Sequence, residues 1–152
     1  MKNIFKFLSP GKLIDNELEL ILVKKIPANE EKKYVPAYNF EMKNSSTSEC
    51  MGLIHLRIGN NENIFYGGHI GYGVKEKFRG HHYAARSIKL LLPFAKKHNL
   101  NEIYITCDTN NLASRKTCEL AGGKLIEIVD LPKHNDQYLN GDRKKCRYRF
   151  II

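Results

Sequence analysis

The chain has 152 residues, 42% of them apolar and 27% charged, and its 25 Lys and Arg against 16 Asp and Glu give a formal net charge of +9. This size and balance suit one globular domain, 1–152, with a core of its own, and they exclude long disorder. The longest apolar runs, such as Leu20–Val23 and Leu90–Leu92, are far too short to cross a bilayer, and no apolar stretch with a cleavage site follows Lys2 and Lys6, so a cytoplasmic protein with no membrane partner is expected.

Cys50, Cys107, Cys118 and Cys146 lie far apart, with neither zinc-site spacing nor a disulfide framework, so no metal is expected and the thiols read as reduced packing residues. The positive charge favours an anionic partner: nucleic acid, an acidic surface or a phosphorylated cofactor.

In chain order, residues up to about Gly11 read as a short loose leader. Leu18–Ile26 is strand-like and Pro27 ends it. Polar Asn29–Lys33 suits a turn or short helix. Val35–Met42 and Cys50–Ile58 read as strands, the second alternating Leu53, His55, Arg57 against Ile54, Leu56, Ile58. Gly59-Asn60-Asn61 is a turn signal that predicts a hairpin with Ile64–Val74.

The period then becomes helical: Ala84, Ile88, Leu91 and Ala95 share a face, Pro93 should kink that helix, and Asn99 suits a left-handed stop. Glu102–Cys107 is a buried strand. Asp108–Asn111 offers N-caps for a helix to about Ala121, closed by Gly122-Gly123. Leu125–Leu131 and Lys145–Ile152 are the last strands, and alternation puts Arg143, Lys145, Arg147 and Arg149 on one basic face. A βαβ crossover among mostly antiparallel strands makes the class α+β.

The segment Gly68–Ala84 carries the chemistry. A strand feeds a short loop that opens into a helix, where free backbone N–H groups and the helix dipole make a site for a pyrophosphate. Arg79 adds a fixed cation and Gly80 lets the backbone come close. No GxxxxGK[ST] pattern occurs, which disfavours a nucleotide triphosphatase.

Arg79-Gly80-His81-His82-Tyr83-Ala84 resembles the Q/R-x-x-G-x-G/A pyrophosphate loop of the GCN5-related N-acetyltransferase (GNAT) family. Gly68–Tyr72 looks like the strand along which the pantetheine arm lies in that family. Asn111-Leu112-Ala113-Ser114, with Glu119 and Gly122 beyond, looks like the N-x-x-S start and E-x-x-G end of its next helix. The likeness covers roughly Ile64–Leu131. It implies a GNAT-like fold, with a mixed, mostly antiparallel central sheet, a βαβ crossover and flanking helices. It also implies acetyl-CoA as acyl donor, held by Ile70, Gly71, Tyr72, Arg79, Gly80, His81, His82, Tyr83, Ala84, Asn111 and Ser114.

His82 stands where the family has Gly. Its Cβ fits if the local φ is negative, and its imidazole could donate to phosphate.

The implied reaction is attack of an amine on the thioester, which needs an oxyanion donor, a base and an acid. By resemblance the donor is a backbone N–H around Ile70–Tyr72. Cys118 occupies the position of the family's acid, with packing as its other reading. His69 is the first candidate base, with His55 its rival. Tyr72 and Tyr83 read as packing or cofactor-wall residues, and His81, His98 and His134 as solvent-facing.

The expected activity is acetyl transfer to a primary amine of a small molecule or protein. The alternative is a CoA-binding regulatory module without turnover. Nucleic-acid binding has only the charge in its favour. The short Pro27–Tyr38 connection implies an open or partner-completed acceptor pocket, and a homodimer is the default assembly.

Overall fold

The computed structural model describes residues 4–152. β1 (Leu13–Asp15), β2 (Leu18–Ile26), β3 (Ala37–Asn44), β4 (Cys50–Arg57) and β5 (Ile70–Val74) form one antiparallel sheet in chain order. β6 (Glu102–Asp108), β7 (Lys124–Asp130) and β8 (Lys144–Ile151) form a second, ordered β6-β8-β7. Helices α1 (Glu62–Gly67), α2 (Tyr83–Lys97), α3 (Leu112–Leu120) and α4 (Asp136–Leu139) fill the connections. The class is the expected α+β, with the β5–α2–β6 crossover carrying the chain from one sheet to the other.

Alternation decides which face of the first sheet is buried. Leu18, Leu20, Tyr38, Phe40, Met42, Ile54 and Leu56 form one core with Ile88, Leu91, Phe94 and Ala95 of α2. Each such side chain contributes about 1.5–3 kcal/mol of burial, which holds α2 against the sheet. α2 runs through Pro93 and stops where expected, at Asn99 with φ +64°. The opposite face of β3 and β4 carries Asn39, His55 and Arg57, and among the described residues no long helix covers it.

Three expectations are corrected. The predicted hairpin between Cys50–Ile58 and Ile64–Val74 pairs antiparallel only from Ile70 onward, and its turn is lengthened by α1: the Asn61 side chain accepts from the Ile64 N–H at 3.0 Å and caps a short helix where strand was expected. The leader is not loose over its described part. Phe5, Phe7 and Leu8 pack on the core, Phe5 stacks on His98, and the Leu8 N–H donates to the Tyr38 hydroxyl at 2.8 Å; Met1–Asn3 lie outside the described residues. The basic face of β8 is not a free stripe. Arg147 is buried, pairs with Glu127 at 2.7 Å and donates to the Phe65 carbonyl, and Lys145 pairs with Asp142.

The two sheets meet at one joint. The His69 N–H donates to the Tyr104 carbonyl at 2.7 Å, and the Tyr104 N–H donates to His69 Nδ1 at 2.9 Å. Gly68, at φ +78°, makes this approach possible, since a Cβ there would lie 3.0 Å from both the Tyr104 O and the Thr106 N. Beyond the joint no ladder among the described residues links β5 to β6, and the strands splay.

Candidate active site

The splay gives β5 an open edge. The Arg57 N–H donates to the His69 carbonyl and the Lys75 N–H to the Met51 carbonyl, and the register pairs His55 with Gly71 and Leu53 with Gly73. Alternation therefore turns the amides of Gly71 and Gly73 toward β4 and those of Ile70 and Tyr72 toward the opening. Two backbone donors therefore face the opening without a ladder partner among the described residues.

At the far end of this edge a 3₁₀ turn, Glu76–Phe78, leads through Arg79 and Gly80 into α2. The first helical bond is Arg86 N–H to His82 O, so the amides of Tyr83, Ala84 and Ala85 have no acceptor within the helix. The His82 side chain does not cap them. Gly80 sits at φ +97° with nothing near its Cβ position, and Arg79, His81 and His82 are exposed around it. Uncapped amides, a bare turn and a free cation fit a pyrophosphate. His82 is at φ +59°, so the condition of a negative φ is not met: this residue takes the left-handed conformation that a glycine would take.

On the other side of the opening lies α3. Asn111 Oδ1 accepts from the Ser114 N–H at 3.0 Å, so the Asn of N-x-x-S is a helix cap, and the motif presents Ser114. The Ser114 hydroxyl meets the Tyr72 hydroxyl at 2.6 Å, bridging β5 to α3. Burial raises the Tyr72 pKa, partly offset by the Ser114 contact. Cys118 has no exposed surface, and burial followed by the neighbouring Cys107 pushes its thiol up to about 12. The expectation of Cys118 as acid is corrected, since a sealed thiol cannot meet a leaving group. Tyr72 and Ser114, by contrast, are half-buried and keep some exposed surface.

His69 also departs from its expected role. It is 1% exposed, Nδ1 accepts from Tyr104, and Nε2 donates to Gly59 O at 3.0 Å with Asn60 Oδ1 at 3.2 Å. Burial lowers its pKa. Both nitrogens are committed, so His69 fastens the joint and is not available as a base. His98 is corrected too: it is half-buried, with Nε2 2.7 Å from the Tyr38 hydroxyl.

His55 and Arg57 line a cavity of about 600 Å³ on the sheet face opposite α2. Its walls are Asn39 of β3, Lys32–Val35, Asn61–Ile64 and His134–Gln137. Asn61 and Asn63 hold the wall together by donating to the carbonyls of Lys32 and Lys33. Arg57 NH2 stands 2.9 Å from His55 Nε2; a guanidinium only donates, so Nε2 accepts. Burial and the Arg57 charge lower His55 to about 4. The signal in the sequence was the pair of basic residues two apart on the polar face of a strand.

Comparisons with known proteins agree with this geometry. An Acetyltransferase (GNAT) domain model matches residues 7–124. A ribosomal L7/L12 α-N-protein acetyltransferase in complex with coenzyme A is similar in fold, with TM-score 0.66 and 16% identity over 93% of this chain and 98% of that one. A Salmonella typhimurium acetyltransferase that modifies the N-terminal serine of L7/L12 gives TM-score 0.60 and 23% identity over 81% and 67%. The microcin C7 self-immunity acetyltransferase, in complex with acetyl-CoA and AMP, gives 0.60 and 20% over 82% of this chain, which spans 64% of that longer protein. No curated protein sequence matches the chain. With most of its length matched by the family model and its strands splayed beside an uncapped helix, the chain belongs to the GNAT acetyltransferase family.

Proposed function

We propose that this acetyltransferase moves an acetyl group from acetyl-CoA to a primary amine seated in the cavity beside His55 and Arg57. The observation that carries the reading is the continuity of the open β5 edge. It runs from the uncapped amides of Tyr83, Ala84 and Ala85, past Ile70 and Tyr72, to Gly71 under the His55 ring. In this reading Arg79 and the α2 amides hold the pyrophosphate. A Tyr72 or Ile70 amide receives the developing oxyanion, and the Tyr72–Ser114 hydroxyl pair returns a proton to the leaving thiolate.

The base is the step for which the chain offers least. His69 is sealed, and the His55 Nε2 lone pair faces a cation. The acceptor therefore reacts as the free amine, its proton passing to water in the cavity. Release of CoA thiol with a panel of amines tests the proposal. The expected pH profile of kcat/KM follows the ionisation of each amine; an inflection near pH 6.5 common to all acceptors would assign a histidine base instead. Saturating acetyl-CoA should stabilise the fold by about 2.7 kcal/mol at a hundredfold over Kd, and Arg79→Ala should reduce that shift. No shift with the wild type would remove the donor from the reading.

A further inference from the structure

We infer that the acceptor carries an anionic group, a carboxylate or a phosphate, and that Arg57 at the floor of the cavity binds it. The inference rests on the proposed acetyl transfer for the identity of the cavity as acceptor site.

Arg57 is half-buried on β4, and its NH1 donates to the carbonyls of Gly67 and Gly68 at 3.4 and 2.9 Å while NH2 donates to His55. These contacts fix the guanidinium plane yet supply no charge. Among the described residues no carboxylate pairs with it, whereas Arg86 and Arg147 have acidic partners; Arg115 and Arg143 are braced by hydroxyl and carbonyl oxygens, but neither lines the cavity. A guanidinium has five N–H donors, and the three acceptors named leave donors uncommitted on a side chain that lines the cavity. A half-buried cation without a counter-ion is costly unless something arrives to pair with it.

The surroundings favour an anion. Lys32 and Lys33 stand on the same wall. Of the two carboxylates lining the cavity, Glu62 accepts from His134 at 2.8 Å, and Asp136 starts α4. Position favours the acceptor as its bearer. Arg57 lies two residues along β4 from His55, about 7 Å from the Gly71 edge where acyl transfer is placed. An amine and an anion on one small molecule, or on one chain end, span that distance.

The test is a protein-observed NMR titration of the wild type with matched ligands: phosphoethanolamine against ethanolamine, and β-alanine against its amide. The anionic member of a pair should bind about tenfold or more tightly and shift the Arg57 Nε–H resonance. Whichever anion gains more separates phosphate from carboxylate. Arg57→Gln should remove the preference and Arg57→Lys should keep part of it, while the acetyl-CoA thermal shift stays as in wild type. Equal binding within both pairs, or a preference that survives Arg57→Gln, overturns the inference. Release of CoA thiol from acetyl-CoA with the same ligands is read separately: its failure with every amine sinks the proposed activity, and the titration still decides Arg57.

Discussion

The imidazole of His55 lies directly over Gly71, its partner across the β4–β5 ladder, so that a Cβ on Gly71 would fall well inside van der Waals contact of the ring. Gly71 is bare because the histidine needs its space, and the histidine in turn holds Arg57. Gly71→Ala should therefore expel the ring, release Arg57 and cost about 1–3 kcal/mol of stability, read by urea unfolding. Adding His55→Ala should return most of that loss. A double variant no more stable than Gly71→Ala alone would show that the strain lies elsewhere.

His69 is expected to matter for stability, not for turnover. His69→Ala leaves the Tyr104 N–H and the Gly59 carbonyl without their partner inside the joint, at a cost of about 2–4 kcal/mol. Burial lowers its folded pKa below the usual histidine value, and burial with the Arg57 charge lowers that of His55 to about 4. Stability is therefore complete above pH 6.5 and declines as pH falls below it, because the unfolded chain binds protons that the folded histidines refuse. Thermal scans between pH 7 and 4 should show that decline, with a shallower slope in His69→Gln. An unchanged slope would remove His69 from the acid response.

The strands were legible where alternation or a capping signal was local. Leu18–Ile26 has the bounds read for it, and the helix beginning near Tyr83 stops at Asn99 as its left-handed signal implied. The turn from β5 into α2 was legible because it depends on backbone at one strand–helix junction. The roles of His69 and Cys118 were not. Both depend on where residues more than 30 positions away fold back, Tyr104 onto the His69 ring and Tyr72 toward Cys118. α1 was missed for a related reason: Gly59-Asn60-Asn61 is as good a turn as it is a cap, and only the tie from Asn61 to the Lys33 carbonyl favours the cap.

Proton return to the thiolate can be assigned by three variants. Cys118 is sealed, so Cys118→Ser and Cys118→Ala should have similar turnover, with any loss tracking stability. Tyr72→Phe removes one hydroxyl of the bridge to Ser114 and should lower kcat by about tenfold or more, with little change in acetyl-CoA affinity. Single-turnover kinetics read the difference. A large loss in Cys118→Ala that Cys118→Ser restores would return the acid to the thiol.

His82 allows stability and binding to be moved in opposite directions. It holds φ +59° and ψ +30° at the start of α2 and makes no side-chain cap, a conformation that costs an L-residue about 1 kcal/mol and a glycine nothing. His82→Gly should therefore raise the melting temperature of the free protein. Yet His82 is exposed beside the uncapped amides, where its ring can donate to a phosphate. The same variant should then bind acetyl-CoA more weakly, while His82→Asn, which tolerates the left-handed conformation and keeps a donor, should retain more of the affinity. Calorimetry on the three proteins, paired with thermal scans without ligand, reads both quantities. A glycine variant that is more stable and also binds more tightly would show that the ring only crowds the pyrophosphate.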